Sequence, residues 1–261
     1  MRPSPHSSQL ASHTPRGAAL ARLLLRSGSG RRDSLLLLGA CGSGKTALFS
    51  RLVDGGLFAA TVPSMTESVG LAQGGAGGQL RRLRLVDLPG HPRLRTRLDD
   101  YAACARGVVF LVDGREGAFL GGVRETAECA PSVCESLCFP DARRAFSRRL
   151  LLDVLSHPGF ARRAPPLLLL VNKRDKSGCH SADFVARRLE RELQALRVAR
   201  GTLEDAGASG GGSAAGGATL LRPAQEQPFT FAACRWRVTT ATASVLRNEL
   251  AALTDFAGLL K

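Results

Sequence analysis

The run LLLLGACGSGKTALF at residues 35–49 constrains the fold more than any other part of the 261-residue chain. Four leucines lead into Gly39, and Gly39, Gly44, Lys45 and Thr46 complete the pattern G-x-x-x-x-G-K-[ST]. An apolar strand before such a turn and an apolar helical pattern after it are the context that makes the pattern specific. The glycines let backbone N–H groups turn inward around phosphate oxygens at a helix N-terminus, where the helix dipole favours an anion. Cys41, Gly42 and Ser43 fall inside the same loop. Lys45 is expected to reach the β- and γ-phosphates, and the Thr46 hydroxyl to ligate Mg²⁺. A glycine-rich turn that binds nothing is a poor alternative, because no packing demand calls for Gly-Lys-Thr there. The stretch predicts a nucleoside-phosphate site.

Further apolar runs follow at residues 83–87, 108–113 and 167–172, with another over 236–240. Most are short and nearly continuous, as parallel strands buried on both faces require. Helical spacing separates them: Val185, Leu189, Leu193 and Leu196 recur with charges between, and Leu250, Leu253 and Phe256 repeat near the C-terminus. Alternating strands and helices imply an α/β fold with a mostly parallel sheet and helices on both faces. Residues 1–33, rich in Ser, Pro, Arg and His, read as a mobile basic tail, and 34–261 as the folded domain. Two segments look inserted, at 114–145 and at 201–227, the second carrying GASGGGSAAGGA. GGAGG at 74–78 is expected to turn a hairpin between two strands.

A formal charge of +14 suits an anionic partner or a solvated arginine-rich surface. One Trp and one Tyr leave few platforms for stacking bases, so no direct nucleic-acid binding is expected. Seven cysteines without regular spacing argue for a reducing compartment. Cys129, Cys134 and Cys138 lack a second pair at zinc spacing and read as ordinary thiols. No apolar run approaches the roughly 20 residues that a membrane span needs.

VNKRD at 171–175 decides the base. The Asp175 carboxylate can accept from guanine N1–H and the exocyclic amino group, whereas adenine presents an acceptor there. The Lys173 stem can cover the base plane while Asn172 braces the phosphate loop. Between the two motifs, VDLPGH sets Asp87 at a strand end with Gly90 and His91 beyond it. Asp87 would hold Mg²⁺ through water, the Gly90 amide would sense the γ-phosphate, and His91 stands where the attacking water is oriented. The upstream TVPSMTES should supply a switch threonine that also ligates Mg²⁺, with Thr66 preferred to Thr61.

DLPGHPRLRTRL followed by ARGVVFLVDG, and LERELQALRVAR at 189–200, make the chain resemble the β subunits of the signal recognition particle receptor. Those are Ras-like P-loop GTPases related to the Arf and Sar proteins. The resemblance implies GTP and GDP with Mg²⁺ as ligands, bound by Lys45, Thr46, Thr66, Asp87 and Gly90 at the phosphates and by Asn172, Lys173 and Asp175 at guanine. Ser244, in TATASVL, resembles the serine of the last guanine-contacting loop, although Val245 and Leu246 replace the usual alanine and lysine. It further implies GTP-dependent binding of the receptor α subunit's N-terminal domain at the cytosolic face of the endoplasmic reticulum membrane, in support of co-translational protein targeting. Members usually carry an N-terminal membrane span, and none is found in this chain, so membrane attachment is expected through the partner. Two other readings are an Arf- or Sar-like trafficking GTPase and a GTP-stabilised module that does not hydrolyse. Arg2 removes the myristoylation signal of the first, and hydrolysis is expected to be slow or partner-dependent.

Overall fold

The computed structural model describes residues 33–56, 66–73, 83–89, 98–115, 140–161, 163–207 and 228–260. Over these, the chain forms β1 (Ser34–Gly39), α1 (Lys45–Asp54), β2 (Ser68–Leu71), β3 (Arg84–Asp87), α2 (Leu98–Ala102) and β4 (Ala105–Asp113). It continues with α3 (Pro140–Ser156), α4 (Pro158–Ala161), β5 (Leu167–Asn172), α5 (Ala182–Gly207), β6 (Val238–Thr242) and α6 (Ala251–Gly258). The strands make one six-stranded sheet in the order β2-β3-β1-β4-β5-β6. Every neighbouring pair is parallel except β2 and β3.

Strand periodicity sorts the leucines into two layers. Leu36, Leu38, Val108, Phe110, Leu167 and Leu169 face a core completed by Leu151 and Val154 of α3 and by Val185, Leu189 and Leu193 of α5. Leu35, Leu37, Val109, Leu111, Leu168 and Leu170 face the opposite core, against Leu48 and Leu52 of α1 and Leu253 and Phe256 of α6. A continuous apolar run is what a strand with helices on both faces demands. The chain leaves β1 for β3 on one side and reaches β4 on the other. This reversal opens a crevice at the carboxyl end of β1, where open α/β sheets bind ligands.

Several elements differ from the sequence expectation. β6 begins at Val238, two residues late, because Trp236 is spent as a buried plug. Its indole N–H donates to the Leu155 carbonyl at 3.4 Å, and its ring lies 5.9 Å from that of Phe160. α3 starts inside the 114–145 segment, with Pro140 in the first-turn position that tolerates a missing N–H. α5 runs on to Gly207, so the first seven residues of the 201–227 segment are helical. The sequence implied a strand before the turn at 74–78 without giving its residues; it is β2, and it pairs antiparallel with β3 as a hairpin requires. The turn at 74–78, the tail through residue 32 and Cys129, Cys134 and Cys138 lie outside the described residues.

Gly39 closes β1 with φ 139°, and a Cβ there would run into the Leu111 carbonyl oxygen of β4. Backbone strain of this kind costs about 1–3 kcal/mol before the clash is relieved. Gly39→Ala is therefore expected to lower unfolding stability by about 3 kcal/mol in nucleotide-free protein, read by denaturant titration. Unchanged stability would show that β1 and β4 are not held this closely.

Candidate nucleotide site

The loop from β1 to α1 is shaped by glycine. Gly42 has φ 74°, and Gly44, which precedes α1, has φ 99°, both in the left-handed region that a side chain resists. A Cβ on Gly44 would strike the Asn172 side-chain amide. No side chain caps α1, so none competes for the first-turn amides. Orphan N–H groups at a helix start are the donors that an anion takes up.

Lys45 opens α1, is buried, and donates from Nζ to the Ala40 carbonyl at 2.7 Å. Burial lowers its pKa, opposed by the negative charge of Asp87. Asp87, fully buried at the end of β3, accepts a 2.8 Å hydrogen bond from the Thr46 hydroxyl at Oδ2. Burial raises the Asp87 pKa, with Lys45 and the Thr46 bond pulling the other way. Asp87 Oδ1 and Ser43 Oγ are buried without a hydrogen-bond partner. Buried polar atoms are nearly always satisfied, so the open oxygen of Asp87, on the carboxylate that takes the Thr46 hydroxyl, is suited to a further partner. A hydroxyl and a carboxylate beside an orphaned carboxylate oxygen match the hard oxygen donors that Mg²⁺ takes, with phosphate and water completing the shell. The residues fit the ion.

Across the crevice, the end of β5 is tied into this loop. Asn172 is buried, donates from Nδ2 to the Ser43 carbonyl at 2.8 Å, and accepts from the Val245 N–H at 3.1 Å. Lys173 has φ 72°, and its Nζ reaches the Gly42 carbonyl at 2.6 Å. Asp175 accepts a 2.7 Å hydrogen bond at Oδ1 from the Ser244 hydroxyl. Ser244 is fully buried and in turn accepts from the Arg247 N–H at 3.2 Å. The departure from serine-alanine-lysine thus leaves the serine in the constellation, because Val245 contributes only its backbone.

The structure gathers Gly39, Cys41, Gly42, Ser43, Gly44, Lys45, Thr46, Asp87, Asn172, Lys173, Asp175 and Ser244 around one crevice. Thr66 is exposed, two residues before Ser68, which pairs across the sheet edge with Asp87. Thr61, Gly90 and His91 lie outside the described residues. Asp113 was missed in the sequence. Its Oδ2 accepts from Lys173 Nζ at 2.8 Å, and Arg115 grips the same carboxylate at 3.0 and 2.7 Å. Burial alone would raise its pKa, but the hydrogen bonds from Arg115 and Lys173 bring it below the usual carboxylate value. The available signal was an aspartate at the carboxyl end of an apolar strand. Among the described residues no helix is long and apolar enough to cross a membrane, and no group of three or more His, Cys, Asp or Glu side chains could hold a metal ion.

Residues 30–138 match the family model described as the signal recognition particle receptor beta subunit. The chain is 34% identical over 178 residues to the human signal recognition particle receptor subunit beta, covering 68% of this chain and 56% of that protein. The mouse protein of the same name is 34% identical over 168 residues, covering 64% of this chain and 53% of that protein. The chain spans about half the length of these curated relatives. Among solved structures, one described as the structure of the mammalian SRP receptor superposes with a TM-score of 0.63 at 26% identity, covering 87% of this chain and all of that one. The receptor SRb-GDP-Mg from Chaetomium thermophilum shares the fold, with a TM-score of 0.59 at 21% identity, covering 88% of this chain and all of that one. With this sheet, this order of motifs and these relatives, the chain belongs to the family of signal recognition particle receptor beta subunits, on a Ras-like P-loop fold.

Proposed function

We propose that the crevice binds GTP and GDP with Mg²⁺, and that the GTP-bound form clasps the receptor α subunit to support co-translational targeting at the endoplasmic reticulum membrane. The observation that carries the nucleotide reading is the pair of ties across the crevice: Asn172 to the phosphate loop and Ser244 to Asp175. A phosphate cradle and a carboxylate suited to guanine are thereby held at a fixed separation. The partner reading rests on the family, and on a solved relative described as an SRb-GTP/SRX complex from Chaetomium thermophilum.

In this reading Lys45 and the turned backbone N–H groups neutralise the phosphates, and Thr46, Thr66 and Asp87 hold the ion directly or through water. Bound Mg²⁺ would supply neutralising charge at the phosphates. Gly90 would sense the γ-phosphate, and His91 would orient the attacking water. Cys41 replaces the glycine usual in Ras-like enzymes, and its side chain would crowd a γ-phosphate and the attacking water. Intrinsic hydrolysis is therefore slow, near the ~10⁻⁴ s⁻¹ scale of unassisted small GTPases.

The test is capture of the α subunit's N-terminal domain by the full chain loaded with GTP or GDP. Capture is expected with GTP alone, and Thr46→Asn, which disturbs the ion, should lower the captured fraction at least tenfold. Equal capture by GTP- and GDP-loaded protein would overturn the switch reading. In microsome sedimentation, the same substitution should lower the fraction of the chain recovered together with the α subunit.

A further inference from the structure

We propose that Asp113, braced by Arg115, is a positioning residue: it pins the Lys173 side chain along the base plane and so sets how long a guanine nucleotide stays bound. The inference rests on the guanine reading of the crevice and adds to it a residue that does not read the base.

Lysine is a point charge on a stem of four rotatable carbons, and left alone it samples many positions. Here two acceptors hold it. The neutral Gly42 carbonyl lies 2.6 Å from Nζ, and the anionic Asp113 Oδ2 lies 2.8 Å away. The second bond joins two ions, and charge-assisted bonds are roughly twice as strong as neutral ones. Lys173 and Asp113 are only 23% and 15% exposed, so solvent competes weakly for either.

Asp113 can serve as a fixed post because its own backbone is fixed. It pairs in register with Asn172 at the ends of β4 and β5. The next residue donates back, Gly114 N–H to the Asn172 carbonyl at 3.0 Å, and its carbonyl accepts from the His180 N–H at 2.8 Å. A bridge between Arg115 and Cys179 continues the contact. Gly114 has no room for a side chain, since a Cβ would lie 2.6 Å from both Cys179 Sγ and Val171 Cγ1. The strand end carrying Asp113 is thus stitched to the loop carrying Lys173 on both sides of that lysine. Arg115 then forks onto the carboxylate, with Nε at 3.0 Å from Oδ1 and an Nη at 2.7 Å from Oδ2. This planar grip fixes the carboxylate plane and turns Oδ2 towards Lys173.

Because Asp113 meets the lysine and not the base, its loss should weaken binding of guanosine and inosine diphosphates alike. Inosine lacks the 2-amino group that Asp175 reads, so the ratio of the two reports on Asp175 alone. The experiment follows dissociation of fluorescent GDP and IDP from the full chain in Mg²⁺. Asp113→Ala is expected to speed release about tenfold for both, which is 1.4 kcal/mol of coupling and within the range for residues in direct contact. The near-isosteric Asp113→Asn, which keeps an acceptor without the charge, should give about threefold and guards against misfolding of the alanine variant. In a Lys173→Ala background, Asp113→Ala should add nothing. An unchanged release rate in both Asp113 variants overturns the proposal. So does an acceleration that persists in full without Lys173, or a collapse of the GDP-to-IDP ratio, either of which would mean general loosening of the loop. Failure of the unmutated chain to hold GDP would instead strike the guanine reading itself.

Discussion

Asp175→Asn is expected to move the site from GTP to xanthosine triphosphate, the largest change in ligand preference that any single substitution here should produce. The Asp175 side chain is 7% exposed, and one oxygen is already occupied by the Ser244 hydroxyl at 2.7 Å. That bond fixes the carboxylate plane and leaves the remaining acceptor capacity for two donors on one edge of a base. Guanine offers N1–H and the 2-amino group. An asparagine presents an amide donor in place of one acceptor, so it opposes the amino group and suits the C2 carbonyl of xanthine. Sites built around hydrogen bonds reject an analogue that leaves their polar groups unpaired by roughly 10⁴-fold. Titration of the variant with both triphosphates should show GTP affinity falling by about that factor and the xanthosine nucleotide gaining. If GTP binding stayed intact, Asp175 would not read the base. Ser244→Ala should show a smaller loss, because it frees the carboxylate without changing its acceptor character.

The second large effect is expected at Asn172, whose amide joins three segments. It donates to the Ser43 carbonyl of the phosphate loop and accepts from the Val245 N–H of the loop after β6. Asn172→Ala strips a partner from two backbone groups at once in a buried setting, and each such loss costs about 1–3 kcal/mol. Stability should fall by about 2–6 kcal/mol, measured by denaturant unfolding without nucleotide. Nucleotide should leave about a hundredfold faster, because the phosphate loop and the base loop lose their common brace. Asn172→Asp should do no better. It keeps the acceptor for Val245 but turns a carboxylate oxygen towards the Ser43 carbonyl. A stable variant with normal nucleotide lifetime would show that the two loops are positioned independently.

These two residues also show how far the sequence could be read. N-K-x-D drew attention to Asn172 and Asp175 because such a motif fixes polar side chains at a set spacing just after a strand. Lys45, Thr46 and Asp87 were legible in the same way, as polar residues at a strand end and a helix start. β1 and β5 were legible to the residue, since a leucine run covered on both faces has no other place in a water-soluble fold. β2 was not, because SVGL sits at the sheet edge, is at most half-buried and carries little apolar signal. α3 was hidden by arginines and a solid leucine run that blur the helical period. Asp113 escaped notice because Lys173, the partner that ties it to the site, is 60 residues away in sequence and comes beside it only through the pairing of β4 with β5. Val245 gave no signal at all, since its contribution is a backbone N–H. Trp236 misled, as an aromatic residue beside a strand reads as part of it until its ring is seen filling the core.

The reading of the crevice as a guanine nucleotide site is tested most directly by competition between GTP and ATP for the unmutated full chain in Mg²⁺. A fixed carboxylate that accepts from guanine and meets an acceptor on adenine predicts GTP displacing a bound fluorescent GDP at roughly 10⁴-fold lower concentration than ATP. Equal displacement by the two triphosphates would contradict the account.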